Sequence, residues 1–189
     1  CEDIVLNTKG AENYESFKLT TLGVLGIDFE ITKSEFDSID QQVLAEKLYD
    51  EAFSQYRRKN QNIAEQSLPI LKDIEVNRGA TIENILVPFT DGKRQIGVAA
   101  NLKKCLATEN QELVLAMEKM VTLAIIDQLW KDHLREMDDL KQSVQNAVYE
   151  QKDPLLIYKF EGFELFKRFI AKVNEDTISF LMKANLPVE

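Results

Sequence analysis

Residues 109–148 contain neither proline nor glycine, and apolar side chains recur among them at helical spacing. The repeating positions are Leu113, Met117, Met120, Ala124, Leu129, His133 with Leu134, Met137, Leu140 and Val144. A helix over this range would be ~60 Å long at ~1.5 Å per residue, longer than ordinary globular helices. Its apolar stripe therefore requires a partner element.

A second helix is predicted to begin directly after this series. Asp153 is a good N-cap residue, and Pro154 suits the first helical position. Apolar residues then continue at helical spacing to about residue 184, at Leu156, Phe160, Phe163, Phe166, Phe169, Ile170, Val173, Ile178 and Leu181. Because the connection is short, the two helices are expected to form an antiparallel hairpin with a projecting tip around 146–152.

The first part of the chain predicts shorter elements. Gly23 and Gly26 interrupt an apolar stretch, which favours short helices and loops. Capping-box patterns at Ser38 and Thr108, each with a glutamine three residues later, predict two helix starts. The first of these helices carries apolar residues at Val43, Leu44, Leu48, Ala52, Phe53 and Tyr56.

One segment has a different character. Asp91-Gly92 separates two β-prone runs, which predicts a small β-hairpin over about 83–100, with Pro88 on an edge or at a bulge. The fold class expected is mainly α, with a long antiparallel helical hairpin and a small inserted β-hairpin.

Composition narrows the classes of function. The chain has 189 residues, 44% of them hydrophobic and 29% charged, which is typical of a globular protein. No apolar run is long enough to cross a bilayer. The net charge is -9, and the basic clusters are too sparse to predict a nucleic-acid partner. These clusters are Arg57-Arg58-Lys59, Lys93-Arg94 and Lys103-Lys104.

Sites for catalysis or cofactors are hard to find in this sequence. Cys1, Cys105 and His133 are too few for a zinc site of cysteine and histidine, so no metal is expected. A GxxxxGK[ST] phosphate loop is absent, which predicts that this chain alone binds no nucleotide. His133 with nearby carboxylates would be the site of a small hydrolase, but an imidazole at a helix–helix contact is the simpler interpretation. A free-standing helical adaptor is another alternative.

The helical hairpin carries a more specific pattern. It contains LWKDHL at 129–134, Met137-Asp138, YEQKDP at 149–154, Tyr158-Lys159 and Phe163. These residues closely resemble the C-terminal region of the SecA family, the ATP-driven motors of bacterial preprotein translocation. The resemblance covers about 60 residues, and the preceding part resembles the family's variable helical wing only weakly.

The resemblance implies a domain organisation and a set of partners. Residues 1–108 would be the helical wing, and 109–189 would be scaffold helices that form the two-helix finger. The scaffold would pack on both nucleotide-binding domains of the parent, with Trp130, His133, Asp153 and Pro154 as its structural residues. Trp130 would be partly buried against an adjoining helix or, in the parent, against a nucleotide-binding domain. The finger tip would contact the SecY channel and the unfolded preprotein. ATP and Mg would bind elsewhere in the parent, so this fragment would have no cofactor and would not be an enzyme.

The same resemblance implies a bacterial cytoplasmic protein associated with the inner face of the cell membrane. Its first residue is Cys1 and its start carries no leader pattern, so a piece of a longer protein is expected.

The predicted tip departs from the family pattern. Asn146-Ala147-Val148 stands where the family has Leu-Arg-Gly, so a basic tip contact is absent. The residues expected at the tip to contact the polypeptide or the channel are Asn146, Val148 and Tyr149. Asp153 and Pro154 are expected to start the return helix.

Overall fold

The computed structural model describes residues 1–9, 13–79, 81–146 and 153–187. Seven helices and two strands are present in these ranges. In chain order they are α1 (Glu2–Lys9), α2 (Tyr14–Leu25), α3 (Lys33–Ser38), α4 (Gln41–Arg78), β1 (Asn84–Thr90), β2 (Gln95–Asn101), α5 (Leu102–Ala107), α6 (Gln111–Asn146) and α7 (Pro154–Lys183). The predicted class, mainly α with a small β-hairpin, is confirmed. None of the described helices is both long enough and apolar enough to span a membrane.

The two helices of the predicted hairpin have nearly the expected bounds. α6 has 36 residues and α7 has 30. The start of α6 differs in detail from the predicted capping box. Thr108 ends α5, and its Oγ1 accepts the backbone N–H of Glu112 at 3.1 Å rather than that of Gln111.

The predicted N-cap at Ser38 is wrong. Ser38 is the last residue of α3, and its hydroxyl donates to the carbonyl of Glu35. The side chain of Asp40 caps α4 instead, because its Oδ1 accepts the N–H of Gln42 at 2.8 Å. Helix α4 then extends for 38 residues and contains Pro69.

Gly26 and Gly23 have different roles. Gly26 ends α2 in the left-handed conformation, with φ 68°, and its N–H donates to the carbonyl of Leu22. Gly23 lies inside α2 and does not interrupt it. The prediction that glycine interrupts this stretch is therefore correct only at Gly26.

The β-hairpin forms at the predicted position. β1 and β2 pair antiparallel, with Val87 opposite Val98 and Pro88 opposite Gly97. The carboxylate of Asp91 accepts the N–H groups of Lys93 and Arg94, which holds the turn.

The chain divides into two compact units. The first contains residues 1–120 and 178–189, and the second contains 121–177. The first unit has an aromatic-rich core from α1 to α4, made of Val5, Phe17, Leu25, Ile27, Phe29, Phe36, Leu44, Ala45, Leu48 and Ala52. The second unit consists of most of α6 and α7.

Candidate functional site: the paired helices α6 and α7

Within the second unit, α6 and α7 run antiparallel. The ring of His133 contacts that of Phe169, whereas Met137, one turn later in α6, lies beside Gly162, nearly two turns earlier in α7. Ascending positions in α6 thus meet descending positions in α7, as the short connection requires.

An aromatic cluster joins the two helices. The His133 ring stacks on Phe169 with 5.0 Å between centroids, and the Trp130 ring meets Phe169 edge-on at 5.5 Å. Phe166 completes the group, at 6.1 Å from His133. Such ring pairs contribute ~0.5–1.5 kcal/mol beyond the apolar area that they bury. His133 was expected at a helix–helix contact, and Trp130 against either an adjoining helix or a nucleotide-binding domain. Sequence reasoning did not identify Phe166 and Phe169 as their partners.

A leucine-rich cluster lies farther along the pair, towards the end of α6. Its buried members are Leu140, Val144 and Leu165, with Met137, Ile157 and Tyr158 against them. Gly162 allows close approach here, because an added Cβ would lie 3.3 Å from Cε of Met137. The two clusters together make the helix pair a continuous stalk in the second unit.

Asp153 starts the return helix as predicted. Its Oδ1 accepts the N–H groups of Leu155 and Leu156, at 2.9 and 3.4 Å, and α7 begins at Pro154. Val148, Tyr149 and the side chain of Asn146, predicted for the tip, lie outside the described residues.

Large apolar side chains remain exposed in the second unit. On α7, Leu156, Phe160 and Phe163 recur at helical spacing and are 53–66% exposed. On α6, Trp130 is 43% exposed although its ring contacts Phe169. A surface this apolar is typical of a contact with another protein or domain.

The geometry around His133 does not favour hydrolysis. Asp132, its sequence neighbour, is paired with Arg135 at 2.7 Å, and Asp127 is paired with Lys131 at 2.6 Å. His133 is buried, and its Nδ1 has no hydrogen-bond partner in the described part of the chain. No group of three or more potential metal ligands comes together among residues 1–9, 13–79, 81–146 and 153–187.

The first unit contains a polar cluster that sequence reasoning missed. The hydroxyl of Tyr56 donates to Oε1 of Glu118 at 2.7 Å, which joins α4 to α6. Lys59 donates to the carbonyl of Leu181 near the end of α7, and its Nζ lies 5.0 Å from the Tyr56 ring centre. Burial lowers the pKa of Lys59 to about 8 and raises that of Tyr56. In the sequence, Lys59 was identified only as a member of the sparse basic cluster Arg57-Arg58-Lys59. Its buried contacts could not be predicted, because the periodicity of α4 gives no indication of partners on α6 and α7.

Comparison with known proteins gives a family match over nearly the whole chain. The model of the SecA Wing and Scaffold domain matches residues 2–185. A protein translocase subunit SecA from Cytophaga hutchinsonii is 49% identical over 187 residues, which cover 99% of this chain. The SecA subunits of Christiangramia forsetii and Porphyromonas gingivalis are 44% and 40% identical, over 98% and 100% of this chain. No solved structure matches the chain.

The match covers only part of each relative. The chain spans 17% of the length of these three SecA subunits.

Proposed function

The chain belongs to the SecA wing and scaffold domain family, and from this membership we propose that it forms the wing and scaffold part of a protein-translocating motor. The observation that carries the proposal is the match over residues 2–185, together with relatives that are SecA translocase subunits. That these relatives are SecA subunits favours the motor over a free-standing adaptor. Residues 1–108 are assigned to the wing and 109–189 to the scaffold.

In this proposal the exposed apolar surface of α6 and α7 has a partner in the parent protein. Trp130 and the apolar residues of α7 pack against the nucleotide-binding domains, where ATP and Mg are bound. Their exposure supports this assignment, since a helical stripe of this kind is stable in water only when another surface covers part of it. The fragment itself contributes no catalytic residue.

The helix pair is also the proposed two-helix finger. The aromatic and leucine-rich clusters stiffen the stalk, and Asp153 fixes where the return helix begins. The connection between α6 and α7, with Asn146, Val148 and Tyr149, then contacts the SecY channel and the unfolded preprotein. The protein acts in the bacterial cytoplasm, peripherally bound to the inner face of the cell membrane.

A chimera tests this function. Residues 2–185 would replace the matching segment of the C. hutchinsonii subunit, and ATP-dependent transport of a preprotein into membrane vesicles would be measured. We expect transport within about tenfold of the parent, because 49% identity preserves most contacts with the other domains. A chimera that folds and hydrolyses ATP like the parent but transports nothing would contradict the proposal.

A further inference from the structure

Alternate residues of β2 point their backbone N–H and C=O groups away from β1. Thr90 exchanges both backbone hydrogen bonds with Asn185, at 2.9 Å each, so Thr90 faces away from β2. In an antiparallel pair, the backbone N–H and C=O groups of two opposite residues either both point towards the partner strand or both point away from it. This direction alternates from one residue to the next along each strand. The N–H and C=O groups of Gln95, Gly97 and Ala99 therefore point outward from β2.

This edge is accessible. Gln95, Gly97 and Ala99 are all exposed, and in glycine the exposed atoms are those of the backbone itself. Among the described residues, none of the three makes a backbone hydrogen bond outside the hairpin. An edge of this kind is a template for another extended chain.

The two edges of the hairpin are protected to different degrees. On β1, Asn185 already covers Thr90, and Pro88 has no N–H to offer. β2 has the sequence QIGVAAN, with neither a proline nor a charged side chain, the two common protections of an edge strand. Strand addition is therefore favoured on β2.

Positive charges lie at both ends of β2. Lys93 precedes the strand, and Lys103 and Lys104 follow it. All three are exposed, and no ion pair involves them within the described ranges. A bound chain with acidic residues at its ends would complement them.

We propose that the outer edge of β2 binds a segment of unfolded polypeptide by strand addition. Its uncharged middle pairs with the backbone of Gln95, Gly97 and Ala99, and its acidic ends lie near Lys93 and Lys103. Because main-chain groups supply the hydrogen bonds, side-chain sequence matters little between the two ends. This binding goes beyond the proposed function and does not depend on the tip of the helix pair.

The probe for the test is a synthetic nine-residue peptide, with five alternating Thr and Val residues between two Asp residues at each end. A matched peptide carries N-methyl groups on alternate residues, which removes the N–H groups of one edge and leaves the side chains unchanged. Binding of the labelled peptides to the 189-residue chain would be followed by fluorescence anisotropy. We expect the peptide to bind and its N-methylated form to bind about tenfold more weakly, the effect of losing one or two hydrogen bonds.

Two variants of one residue give the matching test on the protein. Ala99→Pro removes an outward N–H without breaking a β1–β2 hydrogen bond, whereas Ala99→Val keeps that N–H. We expect about tenfold weaker binding for Ala99→Pro and near-normal binding for Ala99→Val, with thermal melting used to check that both fold.

Equal binding of the two peptides, or no binding at millimolar concentration, would overturn the proposal, and neither result depends on the variants. A wild-type dimer that Ala99→Pro dissociates in sedimentation would also overturn it, since a second copy would then be the occupant.

Discussion

The imidazole of His133 stacks on the ring of Phe169, with ring planes 24° apart and centroids separated by 5.0 Å. His133 is on α6 and Phe169 on α7, so this contact ties the two helices together. The chain's single histidine thus has a packing environment built from aromatic rings.

Removing this contact should destabilise the helix pair. Phe169→Ala should lower the free energy of unfolding by about 2 kcal/mol, less than for a fully buried phenylalanine because Phe169 is only partly buried. Phe163→Ala on the same helix is the matched control, since Phe163 is 59% exposed, and should cost under ~1 kcal/mol. Urea unfolding followed by circular dichroism would measure both. Equal losses would show that the ring cluster does not hold α6 to α7.

A second prediction concerns the pH dependence of stability. The pKa of Lys59 is about 8 in the folded chain because the amine is buried, against ~10.4 when unfolded. Between these values the unfolded state binds more protons, so the contribution of Lys59 to stability rises with pH. Wild type should therefore gain on the order of 2 kcal/mol relative to Lys59→Met between pH 7.5 and 10. Groups that titrate in both proteins, including Cys105, contribute equally to the two free energies of unfolding and cancel when one is subtracted from the other. If the free energies of unfolding of the two proteins change with pH in parallel, the pKa of Lys59 is not lowered by burial.

The turn before α6 supports a third prediction. Asn110 is fully buried with φ 66°, and its Nδ2 donates to the carbonyl of Ala64 and to Oγ of Ser67, at 3.1 and 3.0 Å. Asn110→Ala should cost about 2–3 kcal/mol, because both bonds are lost and alanine is strained at positive φ.

Asn110→Gly is the control, since glycine accepts positive φ. It should cost about 1 kcal/mol less than alanine, as measured by thermal and urea unfolding. If glycine is as destabilising as alanine, backbone conformation has no part in the effect.

Strong local patterns predicted much of the fold from the sequence. The absence of proline and glycine from 109–148 and the Asp153-Pro154 pair predicted α6 and α7 within a few residues. Asp91-Gly92 predicted the β-hairpin, because the turn chemistry is local. The prediction of an N-cap at Ser38 was wrong, because a serine that ends α3 has the same local pattern as one that would cap α4.

Contacts between distant segments could not be predicted. The full length of α4 could not be predicted because its middle is polar and Pro69 lies in its second half. Burial of Ile63, Ala64, Ser67 and Leu71 shows that this second half packs against the core. The bridge from Thr90 to Asn185 joins residues far apart in sequence, and no periodicity signals it. At the site, local patterns indicated His133 and Asp153, and the family resemblance indicated Trp130. The contacts of Phe166 and Phe169 depend on the register between two helices and could not be predicted.

Tyr149 gives the most direct test of the proposed contact between the translocating polypeptide and the connection from α6 to α7. The measurement is the rate of preprotein transport into membrane vesicles by the C. hutchinsonii chimera carrying Tyr149→Ala, with Tyr149→Phe as control. An aromatic side chain in this connection would offer apolar area to many different segments, so Tyr149→Ala should slow transport by about tenfold and Tyr149→Phe by under about threefold. Melting temperature and ATP binding should stay unchanged in both variants. Normal transport by Tyr149→Ala would contradict the account.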